Sequence, residues 1–311
     1  MMYCQKILAV IDPVAEQQKA LHRAVKLAKM TNASITAFLT IYDFSYEMTT
    51  MLSIEERESM RSAVVEERTE WLAELIQSGV ENSGVNINIK VVWHNRPFES
   101  VIHEVIEGAY DIVIKGTHDH NPLKAVIFTP TDWHLMRKCP SPVLLVKEHD
   151  WPEGGSVIAA INAGTEDEAH IKLNDKIAQS AKDFCKSLNA TNHWVNAYPG
   201  TPVNIAIEIP EFDPVEYGTS VREYHQKAMK KFSDKHPLGN SQTHIEEGLP
   251  EDIIPRMAQE LDAELVIIGT VGRTGISAAL IGNTAEHVID KLDCDVLTVK
   301  PDGFVSPLQP S

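Results

Sequence analysis

Short apolar runs bounded by turn residues alternate with amphipathic stretches along the whole chain. Residues 7–11 (ILAVI) form such a run and end at Asp12-Pro13, a pattern typical of a strand buried on both faces of a sheet. The same pattern predicts further strands of the first half at residues 34–41, 85–93, 111–115 and 141–147.

The stretches between these runs carry helical signals. Residues 16–30 place Leu21, Val25 and Ala28 on one face of an amphipathic helix. Ser53 followed by Glu56 forms a capping box for a helix over 53–76, and Pro97 suits the first turn of a helix over 97–107. A short helix at 131–138 completes the order β-α-β-α-β-α-β-α-β. This order predicts a Rossmann-like α/β fold, a five-stranded parallel sheet with helices on both faces.

The second half of the chain repeats the first. Placing Gly116 on Gly269 sets an offset of 153 residues, at which similar residues recur without a gap over about 50 positions. A gapless match of this length indicates a tandem duplication. We therefore expect two domains of one fold, residues 1–150 and 151–311, joined near the charged, proline- and glycine-containing stretch 147–156.

One segment interrupts this correspondence. The second repeat carries a proline-rich stretch, residues 199–218, between a predicted strand at 193–198 and a predicted helix at 219–236. Such a composition predicts a loop or lid with at most short helical pieces.

Composition narrows the classes of partner. The chain has 311 residues and a net charge of −16, from 28 Lys and Arg against 44 Asp and Glu. This balance, without a basic patch, repels phosphate backbones and argues against a nucleic-acid partner. We find no apolar stretch of about 18 residues and so expect no membrane span. The four cysteines form no C-x-x-C pair, which indicates reduced, buried thiols in a cytoplasmic protein.

The topology indicates where a ligand would bind. In a doubly wound sheet, ligands lie beyond the carboxyl ends of the strands, at the switch point of strand order. The first strand ends there at Asp12 in the first repeat and at Asn162 in the second. The fourth strand of the second repeat runs into GTVGRTG, residues 269–275, and Gly282 precedes the last helix. Glycines let backbone N–H groups approach phosphate oxygens, and a helix N-terminus adds further donors.

These motifs carry a family resemblance. The pattern G-x-x-G, nine residues, then G followed by a small polar residue closes the second β/α repeat, a domain of about 150 residues, and resembles the ATP-binding members of the universal stress protein family. The resemblance extends over nearly the whole chain, twice. The stretches IYDFSYEMTT (41–50), VVWHNRPFE (91–99) and GTVGRTGISAALIGNTAEHVID (269–290) are similar to a tandem-domain bacterial type of that family.

The resemblance implies a cytoplasmic stress-response protein that binds ATP or a related adenine nucleotide in its second repeat. In that repeat, Asn162 stands where the family has an Asp that contacts the nucleoside, and Asn283 stands where Ser or Thr is usual. Asn can still donate to and accept from a ribose. The residues implied to bind the nucleotide are Asn162, Gly269, Thr270, Gly272, Arg273, Gly282, Asn283 and Thr284.

The first repeat has lost the same loop. Gly116 remains, but Asp119 stands at the position of Gly272, and Thr129-Pro130 replace Gly282-Asn283. An acidic side chain repels phosphate, and proline lacks a backbone N–H. We therefore expect no ATP binding by this motif in the first repeat.

Relatives in the family pair as homodimers. The resemblance therefore implies an intramolecular pseudo-dimer of the two repeats, paired through their last strands near residues 143–147 and 296–300. It leaves open a further homodimer.

A second ligand class is suggested by the proline-rich stretch of the second repeat. This stretch contains Val203, Ile205, Ile207 and Ile209. Such a strip either packs against the protein or forms an apolar mouth for a lipid-like ligand, because ligand sites are mostly apolar with a few polar anchors.

A metal site is the third candidate. The first repeat carries His118 and His120 in place of its glycine loop, followed by Asp132 and His134. Imidazole and carboxylate are standard ligands of zinc and related divalent metals. The alternative is that these are ordinary surface or hydrogen-bonding side chains.

Catalytic signatures are not evident. We find no G-x-S-x-G elbow, no Ser-His-Asp order and no P-loop spacing. His170 and His225 fall on predicted helices, where an ordinary solvated or packed side chain is expected. The sequence thus favours a ligand-binding, regulatory protein over an enzyme, with weak ATP hydrolysis as the alternative.

Overall fold

The computed structural model describes residues 4–15, 17–47, 52–80, 83–117, 128–201, 212–237, 241–270 and 283–308. The chain forms two compact units, a first built on Tyr3–Lys147 and a second built on Glu148–Phe304. Residues 305–308 also group with the first unit, which the sequence pattern does not indicate.

The first unit alternates strands and helices as predicted. Its elements in chain order are β1 (Lys6–Val10), α1 (Lys19–Thr31), β2 (Ser34–Ile41), α2 (Phe44–Glu47), α3 (Ile54–Val80), β3 (Ile87–Trp93), α4 (Pro97–Gly108), β4 (Ile112–Gly116), α5 (Pro130–Lys138) and β5 (Val143–Val146).

The sheet of the first unit has the strand order β3-β2-β1-β4-β5, with every described pair parallel. Lys6 of β1 is in register with Ser34 of β2, and Ile7 is in register with Ile112 of β4. The middle residues of the central strands, 7–9 of β1 and 112–114 of β4, are apolar and buried, because α1 packs against both strands.

The second unit follows the same plan. Its elements are β6 (Ser156–Ala160), α6 (Glu168–Leu188), β7 (Thr191–Tyr198), α7 (Pro214–Lys235), β8 (Ser241–Glu247), α8 (Pro250–Glu260), β9 (Ala263–Gly269), α9 (Asn283–Lys291) and β10 (Asp295–Val299).

Its sheet has the strand order β10-β9-β6-β7-β8, again parallel in every described pair. Strand order therefore reverses between β6 and β9 in this unit, as it does between β1 and β4 in the first. This is the switch point at which the sequence places a ligand.

The repeat seen in sequence reappears element by element. Helices α5 and α9 begin at Pro130 and Asn283, and α4 and α8 begin at Pro97 and Pro250, each pair separated by 153 residues. The α/β fold expected from the strand–helix pattern is confirmed, with one such sheet in each unit.

Two differences from the predicted elements have local causes. Helix α2 is a single turn, too short for a helical period to be read. Helix α7 begins at Pro214 rather than near 219, because the Asp213 carboxylate accepts hydrogen bonds from the backbone of Val215 and Glu216 and Pro214 occupies the first turn.

Two further expectations concern thiols and membranes. All four cysteines are buried thiols outside any disulfide. Among the helices that the structure describes, none combines the length and the apolar character that a membrane crossing requires.

Candidate functional site

A cavity of about 320 Å³ opens at the carboxyl ends of β6, β7 and β9 in the second unit. Most of its described walls are apolar, and none of its described lining residues is Asp, Glu, Lys or Arg. The apolar walls include Leu173, Ile177, Val195, Ile254 and Ile268. The polar lining residues are Asn162, His170, Asn174, His225 and Thr284. Such a lining suits a flat, mostly apolar group held by a few polar anchors.

A side-chain amide binds the backbone at the end of β6. The Asn162 N–H donates to Asn174 Oδ1 (3.1 Å), and Asn174 Nδ2 donates to the Asn162 carbonyl (2.8 Å). These two bonds satisfy the backbone of Asn162, so its exposed side chain remains at the rim of the cavity. In the first unit, Gln18 binds the backbone of Asp12 in the same two-bond manner.

Gly269 ends β9 at the cavity wall. A Cβ at this position would lie 2.5 Å from Leu173 Cδ2, so any larger residue would displace the Leu173 side chain of α6. The glycine pattern of the sequence therefore serves helix packing at Gly269, in addition to any approach of a ligand to its backbone.

The structure places Thr270 outside the described lining. Its side chain is 2% exposed, and its hydroxyl accepts a hydrogen bond from the buried Lys300. The Thr270 side chain thus faces the protein interior, not the cavity.

The remaining implied nucleotide residues divide into two groups. Thr284 lines the cavity from the first turn of α9, which begins at Asn283. Gly272, Arg273 and Gly282 lie outside the described residues, so their contribution stays a prediction.

Two histidines, His170 and His225, lie in the cavity wall. His170 lies in the first turn of α6, where its Nδ1 is 2.8 Å from the Asp167 carboxylate. His225 reaches the cavity from the middle of α7, and burial lowers its pKa. No sequence motif marks either residue, because their placement depends on how each helix packs on the sheet.

The first unit has a buried ion pair at the corresponding place. At the 153-residue offset, Lys115 corresponds to Ile268 and Asp132 to Ala285, two cavity-lining residues. The Lys115 ammonium lies 2.7 Å from Asp132 Oδ1 and donates to the Gly116 carbonyl at 3.0 Å. Both side chains are buried, so a charged pair stands in the first unit where the second unit has two apolar lining residues.

Asp132 has a second structural role that bears on the predicted metal site. Its Oδ2 accepts from the N–H (2.7 Å) and hydroxyl (2.9 Å) of Thr129, the N-cap of α5. Both carboxylate oxygens are therefore engaged within the protein.

His134 stacks on Phe98 with ring centroids 4.1 Å apart. Burial, followed by the charges of Lys138 and Arg137, lowers the pKa of this imidazole. His118 and His120 lie outside the described residues, and no group of three metal-ligating side chains occurs within the described part of the chain. The metal site stays a prediction, without the support of Asp132.

The apolar strip Val203, Ile205, Ile207 and Ile209 also lies outside the described residues. Its packing and its relation to the cavity stay predictions.

Comparison with known proteins places this architecture. The model of the family described as "Universal stress protein family" matches residues 4–147 and 172–300. Universal stress protein E of Escherichia coli (strain K12) is 53% identical over 306 residues, which cover 98% of this chain and 96% of that protein. The Universal stress protein E homolog of Haemophilus influenzae is 42% identical and covers 96% of this chain and 98% of its own.

Solved structures of other proteins share this fold. A functionally unknown protein from Pseudomonas aeruginosa PAO1 superposes with a TM-score of 0.75 at 31% identity, covering 97% of this chain and 94% of that one. A universal stress protein from Archaeoglobus fulgidus has the same fold, with a TM-score of 0.66 at 16% identity over 95% of this chain and 98% of its own. With two family domains and the tandem layout of its relatives, this chain belongs to the universal stress protein family.

Proposed function

We propose that this protein acts in the stress response as a ligand-binding, regulatory protein whose second unit binds an adenine nucleotide. The observation that carries the proposal is the open cavity at the switch point of the second sheet, lined by Asn162, Gly269 and Thr284. A flat base and a ribose suit its uncharged walls. The phosphates would extend beyond Gly269 towards the glycine loop and the start of α9, where backbone donors favour anions.

Binding rather than turnover fits the chemistry of the described lining. General-base catalysis of hydrolysis needs a proton acceptor near the attacking water, most often a carboxylate or an imidazole. No described lining residue carries a carboxylate, and the Nδ1 lone pair of His225 is already engaged by Asn196. His170, whose Nδ1 lies 2.8 Å from Asp167 Oδ1, keeps Nε2 as the proton acceptor on which hydrolysis would depend. Weak ATP hydrolysis is the alternative, and a phosphate-release assay at saturating ATP distinguishes the two.

The first unit supplies the variant that tests the site. Ile268→Lys combined with Ala285→Asp copies the Lys115–Asp132 ion pair into the second unit and fills the cavity. The matched control is Lys115→Ile with Asp132→Ala, which removes the ion pair from the first unit.

The measurement is isothermal titration of each protein with ATP. We expect the wild type and the first-unit control to bind ATP with the same affinity, and the second-unit double variant to lose at least 100-fold, on the order of 3 kcal/mol. Absence of ATP binding by the wild type, or binding unchanged by the second-unit double variant, would contradict the proposal.

A lipid-like ligand is a second candidate, favoured by the mostly apolar described walls of the same cavity. Native mass spectrometry of the purified protein separates the two: a co-purified acyl compound supports the lipid-like ligand, and a nucleotide supports the first proposal.

A further inference from the structure

Asn196 is a buried amide in the middle of β7, with an exposed fraction of 0%. The registers β1–β2 and β6–β7 make Ser34 equivalent to Thr191, so Asn196 corresponds to Leu39 in the first unit, which is equally buried. Burying an amide costs free energy unless its donors and acceptors are satisfied. The second unit therefore keeps a polar group where the fold accepts leucine.

The backbone fixes which way this amide points. The Ala163 N–H donates to Asn196 Oδ1 at 3.0 Å, so the Nδ2 group is at the other end. Asn196 Nδ2 lies 3.1 Å from His225 Nδ1, and an NH₂ group can only donate. His225 Nδ1 is therefore the acceptor, and the single hydrogen of the neutral imidazole is on Nε2.

The imidazole ring is held in place on three sides. Tyr198 stacks on it with centroids 5.0 Å apart and an interplanar angle of 20°, and Tyr224 meets it edge-on at 5.4 Å. Gly164 lies against the third side, where a Cβ would come within 2.5 Å of His225 Cε1. Among the described residues, none forms a hydrogen bond with His225 Nε2, and His225 lines the cavity. The result is an oriented donor whose own protein contacts leave it available.

The position of this donor indicates which part of a ligand it would meet. Gly269 and Thr284 lie at the β9 side of the cavity, next to the loop where phosphates would be bound. His225 enters from α7, which packs on β7 and β8, at the other side of β6. A ligand with its phosphates at β9 therefore brings its base to His225.

We propose that His225 is a specificity-determining residue whose Nε2–H donates to a ring nitrogen of the bound base, with Asn196 fixing the tautomer. This inference rests on the proposed nucleotide function of the same cavity. It names the recognised group as a heterocyclic base with a ring-nitrogen acceptor.

The first test compares ATP with its 1-deaza, 3-deaza and 7-deaza analogues, each of which lacks one ring nitrogen. Titrations use the wild type and His225→Phe, which keeps an aromatic ring beside Tyr198 but has no donor. We expect His225→Phe to bind ATP about tenfold more weakly, the effect of one neutral hydrogen bond. One analogue should bind the wild type about tenfold more weakly than ATP, yet bind His225→Phe as well as ATP does.

The second test needs no ligand and no loss of the histidine. Nitrogen-15 spectra of the imidazoles should show His225 of the wild type as the Nε2–H tautomer. In Asn196→Asp, whose second carboxylate oxygen accepts where the amide donated, the hydrogen should be found on Nδ1.

The outcomes separate the two proposals. If the wild type fails to bind ATP, the nucleotide function and this inference both fail. If the wild type binds ATP but His225→Phe binds it equally well, or if the wild-type ring is the Nδ1–H tautomer, only the role of His225 is overturned. Should His225→Phe fail to fold, the analogue series on the wild type decides, because equal affinity for ATP and all three analogues contradicts the proposal.

Discussion

At the residue scale, the two repeats differ most where one of them keeps a cavity. Lys115 and Asp132 form a buried ion pair in the first unit, and the matching Ile268 and Ala285 line the open site of the second. The apolar pair lines a cavity, and the charged pair places two buried charges at the matching positions. Sequence alignment alone pairs these positions but does not show that the lysine and the aspartate meet, since they lie on different elements.

The ion pair makes a stability prediction. Asp132→Ala alone should lower the free energy of unfolding of the first unit by about 3–5 kcal/mol, because the buried Lys115 ammonium loses its counter-charge. The double change Lys115→Ile with Asp132→Ala should recover part of this loss, because it removes the uncompensated ammonium while the Asp132 bonds to Thr129 stay lost. Urea titrations monitored in the first unit measure both, and a double variant as unstable as the single one would contradict the argument.

A buried histidine pair makes the stability of the second unit depend on pH. His193 on β7 and His244 on β8 lie with Nδ1 and Nε2 3.1 Å apart, and His193 is 3% exposed. Burial, and then the neighbouring His244, lower the pKa of His193 to about 4. Burial lowers the pKa of His244. The charges of Glu246 and Glu260 raise it, but burial is the larger effect.

The pH prediction follows from the sign of this shift. The folded state binds fewer protons than the unfolded chain between the usual histidine pKa of 6.5 and about 4, so stability falls as the pH falls through that window. The loss is on the order of 3 kcal/mol. Amide hydrogen exchange of β7 and β8 at pH 7, 5.5 and 4.5 should show accelerating opening. In His193→Leu this dependence should be shallower, and an identical pH profile in the two proteins would exclude the histidine pair as its source.

At the element scale, apolar periodicity and capping signals predict most of the structure. The strand at residues 34–41 and the helix beginning after Ser53 agree with the structure, where Glu56 and Ser53 exchange the two capping-box hydrogen bonds. The start of α7 is missed because Pro214 reads as part of a loop unless Asp213 is recognised as its cap. Local signals therefore locate elements well, whereas the cavity contacts of α6 and α7 depend on tertiary packing.

The cap of α7 gives a prediction for a whole element. Asp213→Ala removes the bonds to the N–H groups of Val215 and Glu216, at 2.8 and 3.2 Å, and should cost about 1 kcal/mol. Hydrogen exchange in the first turns of α7 should accelerate, while Asp213→Ser, which can still cap the helix, should behave like the wild type. Unchanged exchange in the alanine variant would show that the proline alone sets the start of the helix.

At the scale of the whole molecule, duplication has produced two sites with different linings, a buried ion pair in the first unit and apolar residues in the second. Both units keep the same strand order. In both, a side-chain amide binds the backbone at the end of the first strand, Gln18 in the first unit and Asn174 in the second. They differ in the side chains beyond the strand ends. The sequence predicts that difference through the lost glycines of the first repeat, but the ion pair and the His225–Asn196 contact become visible only in three dimensions.

The number of nucleotides bound per chain tests this account most directly. Native mass spectrometry of the full chain with increasing ATP should show a single adduct, which disappears in the variant carrying Ile268→Lys and Ala285→Asp. Two adducts per chain, or one adduct that persists in that variant, would contradict the assignment of the ligand site to the second unit.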